Sequence, residues 1–176
     1  GLAWRGGLFT GRESPAPSAI GGPFQMVDQS GRPVTEAVLR GKWSAVFFGF
    51  TYCPDICPTT LQTLVDAKAK LGRKGEDLQI LFVSVDPARD TPQQLTTYLQ
   101  SYPGVIGLTG TPEQLAATTK AFKVWYAKRG EGEGYTMDHS SAVYLMDPKG
   151  RFTNAVAVQL GPDRAAQDIA REMQGG

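Results

Sequence analysis

Apolar residues fall into short dense runs, and two different periods alternate between them. Ser44 to Phe50 is nearly all apolar, with Val46, Phe47, Phe48 and Phe50, and reads as a buried central strand. Leu78–Val85 reads the same way, Val105–Leu108 as a shorter strand, and Ser141–Met146 as another. Helical spacing follows in between: Leu61, Leu64, Val65 and Leu71 up to Gly72, then Leu95, Tyr98, Leu99 and Tyr102, then Leu115, Ala116, Thr119 and Phe122. A last helix opens at Gly161-Pro162 with Ala166, Ile169, Ala170 and Met173 on its inner face. Pro58 suits the first position of the first helix, where its missing N–H costs nothing. Thr91-Pro92-Gln93-Gln94 and Thr111-Pro112-Glu113-Gln114 both read as capping boxes.

Strand hairpins bracket this alternation. Phe24, Met26 and Asp28 alternate with Gln25 and Val27, Asp28–Gly31 turns, and Pro33–Thr35 returns. Thr35 caps a short helical turn through Leu39, ending at Gly41. Asp147-Pro148-Lys149-Gly150 is a tight turn leading into Arg151–Thr153. Val124–Tyr126 reads as a strand and Arg129–Gly134 as a Gly/Glu loop. The order is hairpin, β, α, β, α, β, α, hairpin, α. Its early strands are expected to be parallel, and its last two antiparallel to their neighbours. The expected class is α/β: a thioredoxin-like fold with a mixed central sheet flanked by helices, an extra N-terminal β-hairpin and an inserted helix. Residues 1–21, rich in Gly, Pro, Ala and Ser, read as a linker or membrane-proximal lead-in, with Trp4 and Phe9 its only large aromatics. Residues 22–176 form the domain.

Composition narrows the function. At 176 residues the chain suits one domain with its own core. A net charge of +1 argues against nucleic acid. No run of 18 apolar residues exists to span a membrane. The chain starts at Gly1 rather than Met, which reads as a processed or trimmed product with any signal peptide or anchor lost. Two cysteines are too few for a disulfide framework in a domain this size.

Those cysteines carry the chemistry. Cys53 follows the strand ending at Phe50, and Cys57 immediately precedes Pro58. A helix start beside both sulfurs is expected to lower their pKa and favour thiolate. Thiolate serves both disulfide exchange and soft-metal binding, and the pair alone leaves both open. His139 is the only histidine. If the strand at 141–146 runs antiparallel to the strand at 44–50, His139 hangs over Cys53 and Cys57; if parallel, it lies on the order of 20 Å away. Two thiolates and an imidazole suit copper best, since zinc would want a fourth soft ligand and iron–sulfur clusters more cysteines. A carboxylate or a water would complete the set for Cu(II); Asp138 and Asp86 are candidates, though each reads first as a supporting or capping residue. Asp86-Pro87-Ala88-Arg89-Asp90 lies at the carboxyl edge of the sheet, where ligands gather. Arg89 and Asp90 are candidates for docking a partner, while Tyr52, Trp125, Tyr126 and Tyr135 read as packing residues.

Five motifs in order resemble the Sco (SenC-type) family of copper proteins involved in cytochrome c oxidase assembly. They are Phe48-Gly49-Phe50-Thr51 with Cys53-Pro54-Asp55-Ile56-Cys57-Pro58, then Ser84-Val85-Asp86-Pro87-Ala88-Arg89-Asp90-Thr91-Pro92, then Ile106-Gly107-Leu108-Thr109-Gly110-Thr111, then Asp138-His139-Ser140-Ser141, and Tyr144-Leu145-Met146-Asp147-Pro148. The resemblance implies a mononuclear copper site made by Cys53, Cys57 and His139. It also implies an N-terminal membrane anchor that this chain lacks, and a location on the periplasmic side of the inner membrane or in the equivalent mitochondrial intermembrane space. The implied partners are the copper-bearing subunit of the oxidase and another periplasmic copper carrier, with the chain itself a monomer. One reading is a metallochaperone for the dinuclear copper centre. The other is a thiol-disulfide oxidoreductase with Cys53 and Cys57 catalytic. The three-residue spacing, and Ser140 where thioredoxins carry proline, weigh against the second.

Overall fold

The computed structural model describes residues 20–175. Most of the lead-in, including Trp4 and Phe9, lies outside the described residues. Ile20 packs on the core, and the Gly21 N–H donates to the Ala121 carbonyl at 2.8 Å.

The strands are β1 (Gln25–Asp28), β2 (Pro33–Thr35), β3 (Trp43–Gly49), β4 (Leu78–Ser84), β5 (Val105–Thr109), β6 (Tyr126–Arg129), β7 (Thr136–His139), β8 (Val143–Met146) and β9 (Phe152–Ala155). The α-helices are α1 (Ile56–Lys70), α2 (Pro92–Leu99), α3 (Pro112–Phe122) and α4 (Pro162–Gly175). One seven-stranded sheet runs β2-β1-β5-β4-β3-β8-β9. The inner strand β3, between β4 and β8, is buried at every residue, which is why its sequence is almost wholly apolar. As expected, β3, β4 and β5 are parallel, β8 is antiparallel to β3, and β8 and β9 form a hairpin. Phe47, Phe48, Phe82, Phe122 and Met26 are the largest side chains sealed in the core. α1 packs along α4, α2 lies on β5, and α3 meets β1.

The capping grammar holds with one change. Thr111 and Gln114 make the full reciprocal box. Thr91 Oγ1 accepts from the Gln94 N–H at 3.2 Å, but the Gln94 side chain turns away and donates to Thr51 Oγ1 at 3.0 Å. Half of that box is thus spent on a tertiary contact. Pro58 is the third residue of α1 rather than the first. The first four helical amides lack an intrahelical acceptor in any case, so proline still removes no bond there.

One element differs from the sequence reading. The expected strand at Val124–Tyr126 begins at Tyr126, and the expected loop is the turn of a two-stranded ribbon in which β6 pairs antiparallel with β7. This ribbon is separate from the main sheet. Its strands carry charged residues and half-buried faces, so they lack the apolar alternation that marks a strand in sequence.

Candidate metal centre

The register of β3 against β8 builds the site. Phe47 stands opposite Val143, so the end of β3 meets the start of β8. The chain leaving β3 reaches Cys53 and enters α1 at Cys57; the chain entering β8 comes from His139 at the end of β7. Cys57 Sγ and His139 Nε2 consequently lie 4.0 Å apart. The imidazole packs edge-on against Phe50 at 5.8 Å between centroids and against Phe47 at 6.3 Å. His139 Nδ1 sits 2.8 Å from the Ser140 carbonyl oxygen. A carbonyl only accepts, so Nδ1 carries the proton and donates. The Nε2 lone pair is left to face Cys57, the arrangement in which histidine serves as a metal ligand.

Both cysteines are free and buried, Cys57 fully and Cys53 at 8% exposure. Cys53 Sγ accepts from the Cys57 N–H at 3.4 Å, and the Cys53 N–H donates to the Phe50 carbonyl at 3.2 Å. The expected lowering of thiol pKa fails at Cys57. Burial pushes that thiol far up, with the neighbouring Cys53 and the charge on Asp90 adding to the effect, against a lowering hydrogen bond at Phe50. Loss of water outweighs the helix start at a sulfur sealed from solvent. Cys57 therefore rests as a neutral thiol.

Two features hold this geometry: Gly49, whose role the sequence reading did not draw out, and Asp90, which it placed at a docking surface. Gly49 leaves room for the sulfur: a Cβ there would come 2.6 Å from Cys57 Sγ and 2.9 Å from the Phe82 ring. Asp90, fully buried, accepts from the Thr51 N–H at 3.0 Å, the Thr51 hydroxyl at 2.6 Å and the Ser84 hydroxyl at 2.7 Å. It pins the loop two residues before Cys53, so its role is internal rather than at a docking surface. The signal available in sequence was a charged residue beside a helix cap, which does not by itself say which way the side chain turns.

The candidate fourth donors are committed elsewhere. Asp138 pairs with Arg129 at 2.5 Å on the ribbon. Asp86 accepts from Arg89 Nε at 2.6 Å and from the Tyr135 hydroxyl at 2.6 Å. Arg89, expected to face a partner, is turned inward: its guanidinium carbon lies 4.3 Å from the Tyr52 ring centroid and 3.6 Å from that of Tyr135. Tyr135 is accordingly more than packing, and burial together with its bond to Asp86 holds its hydroxyl in the protonated form. Among the described residues no group of three His, Cys, Asp or Glu side chains is already gathered at metal-holding distance. What is gathered is the pair Cys57–His139, with Cys53 at its edge. Two ligands about 2.0–2.3 Å from one ion stand roughly 3.5–3.8 Å apart at tetrahedral to trigonal angles, close to the 4.0 Å observed.

A mixed sheet with a Cys-x3-Cys pair where an inner strand passes into a helix, and a histidine facing it from just before the antiparallel neighbour of that strand, defines a thioredoxin-like protein with a dithiol and an imidazole brought together. The chain belongs to the SCO1/SenC family, whose signature matches residues 12–174. It is 40% identical over 164 residues to SCO1 homolog 1, mitochondrial, of Arabidopsis thaliana, covering 92% of this chain and 49% of that one. It is 41% identical over 156 residues to SenC of Rhodobacter capsulatus, covering 88% and 71%. The chain thus spans about half the length of some relatives and more of others. Among solved structures it resembles ScoI of Bradyrhizobium japonicum with copper bound, at TM-score 0.81 and 42% identity over 87% of this chain and 99% of that one. It also resembles BsSco, a member of the Sco family of cytochrome c oxidase assembly proteins described for its disulfide switch, at TM-score 0.70 and 29% identity over 93% and 95%. No helix among the described residues is long and apolar enough to cross a membrane.

Proposed function

We propose that this chain is a copper metallochaperone that takes a copper ion as cargo through Cys53, Cys57 and His139 and delivers it toward the dinuclear copper centre of cytochrome c oxidase. The observation that carries the reading is the Cys57 Sγ–His139 Nε2 approach of 4.0 Å, with the imidazole proton fixed on Nδ1. A soft thiolate pair with an imidazole accepts both Cu(I) and Cu(II). Binding draws Cys53 to the Cys57–His139 pair and releases the thiol protons, because only thiolates ligate. The partners are the copper-bearing oxidase subunit and a second copper carrier that loads the site. The domain works as a monomer on the periplasmic side of the inner membrane or in the mitochondrial intermembrane space, held there by an N-terminal anchor. The copper-bound ScoI structure and the mitochondrial relative support this reading.

A second reading is favoured by one contact. The Cys57 N–H donates to Cys53 Sγ, so a backbone donor faces the sulfur that would attack. Cys53 would attack a disulfide of the oxidase subunit, forming a mixed disulfide and freeing one partner thiolate. Cys57, on losing its proton, would then attack Cys53, leaving a Cys53–Cys57 disulfide and a second partner thiol.

His139→Ala separates the two. The metallochaperone reading expects copper retention to fall at least tenfold while the rate of disulfide reduction holds. Unchanged copper retention would show that the ligand assignment is wrong.

A further inference from the structure

His139 reaches the site on the β6–β7 ribbon, which makes no ladder with the main sheet. The β3–β8 pairing brings the start of β8 beside the cysteines, and the ribbon that carries His139 needs its own tie to hold the ring over Cys57. We propose that Arg89 is the positioning residue that ties this ribbon to the cysteine loop and so holds His139 at ligand distance. The proposal rests on the copper-carrying reading of the site.

Arg89 touches all three segments that meet there. It bonds Asp86, in the turn that follows β4, through Nε, and its Nη1 donates to the Glu133 carbonyl of the ribbon turn at 3.3 Å. Its guanidinium lies against Tyr135, four residues before His139, and against Tyr52, the residue before Cys53. Asp86 completes the link by accepting the Tyr135 hydroxyl on its other oxygen. The Asp86 side chain is 3% exposed and that of Arg89 14%, so the pair is shielded from solvent and salt. Only a planar guanidinium can stack on aromatic rings while donating from its edge to two acceptors; a lysine ammonium cannot. The buried Arg89 Nη2 atom has no hydrogen-bond partner among the described residues, so the cluster forgoes bonding there to keep this stacked position.

The test compares wild type, Arg89→Gln and Tyr135→Phe, each with and without His139→Ala. In metal-free protein, hydrogen exchange at β6–β7 amides is expected to rise about tenfold in Arg89→Gln while β3 and β4 amides keep their protection. Cu(I) affinity, measured by competition with a chromophoric chelator, is expected to weaken about tenfold, the lower end for losing support of a ligand. In the His139→Ala background Arg89→Gln should cost nothing further, because its effect passes through His139. An equal loss in both backgrounds, or unchanged ribbon exchange, overturns the proposal. If Arg89→Gln fails to fold, Tyr135→Phe, which deletes one hydroxyl, carries the same expectations with smaller changes. A wild type that binds no Cu(I) refutes the copper reading. A wild type that binds it equally with or without Arg89 refutes only the positioning role.

Discussion

Gly49 lies directly against Cys57: any side chain at that strand position would stand 2.6 Å from the buried sulfur. The last residue of β3 therefore shapes the site as much as the cysteines do. Gly49→Ala is expected to displace Cys57 or Phe82, at a cost of about 1–3 kcal/mol for overpacking. A urea midpoint that falls together with copper retention would confirm it. A variant that keeps wild-type stability and copper binding would mean the pocket has slack.

Asp90 anchors Thr51 by two bonds and Ser84 by a third. Asp90→Ala leaves three buried donors without an acceptor and is expected to destabilise the fold by roughly 2–4 kcal/mol, given about 1–3 kcal/mol per unsatisfied group with partial relaxation. Denaturant titration measures the loss. A change under ~1 kcal/mol would show that water replaces the carboxylate freely.

Acid titration should reveal carboxylates of opposite sign. Burial raises the pKa of Asp147, but hydrogen bonds from Arg151 and Lys149 outweigh it and leave the group below 3.8; Asp28 is held low in the same way by Ser30 and Arg32. Their contributions are present above 3.8 and disappear as pH falls through the folded values. Asp90 is raised, first by burial, so its contribution is fullest below 3.8 and is lost as pH rises through its folded value. Asp147→Asn should flatten the low-pH loss of stability, and Asp90→Asn should flatten the change above pH 3.8. Identical pH profiles for wild type and both variants would contradict the assignment.

The two threonine caps differ in a measurable way. Thr111→Ala breaks a reciprocal box and should cost about 1 kcal/mol, or roughly 2–4 °C in Tm. Thr91→Ala should cost a similar amount, but Gln94→Ala should additionally loosen Thr51 through the lost side-chain bond. Backbone exchange at Thr51, faster in Gln94→Ala than in Thr91→Ala, is the distinguishing reading.

The fold and the approach of His139 to Cys57 were readable because the elements that produce them declare themselves by local pattern. The buried strands declare themselves by apolar runs, the helices by caps, and the β8–β9 turn by Asp147-Pro148-Lys149-Gly150. The antiparallel placement of β8, inferred from that turn, is what brings His139 toward Cys57. The clasp around Arg89 was hidden because Tyr52, the Asp86–Arg89 turn and Tyr135 are distant from one another in sequence, and each is an ordinary turn or surface residue by itself. The raised pKa of Cys57 was hidden for a related reason: a helix start is visible in sequence, whereas the depth of burial that overrides it depends on Gly49 and the phenylalanines packed around it.

The β3–β8 pairing also sets an order of events during synthesis. The cysteines leave the ribosome about eighty residues before His139, and β8 can join β3 only after that. Pairings between such distant segments are the slow ones in folding. The nascent chain thus passes through a stage in which the dithiol exists and its imidazole does not. Quality control of this site then lies with the closing strand: a chain stalled before β8 docks presents bare thiols to any oxidant or metal in its compartment.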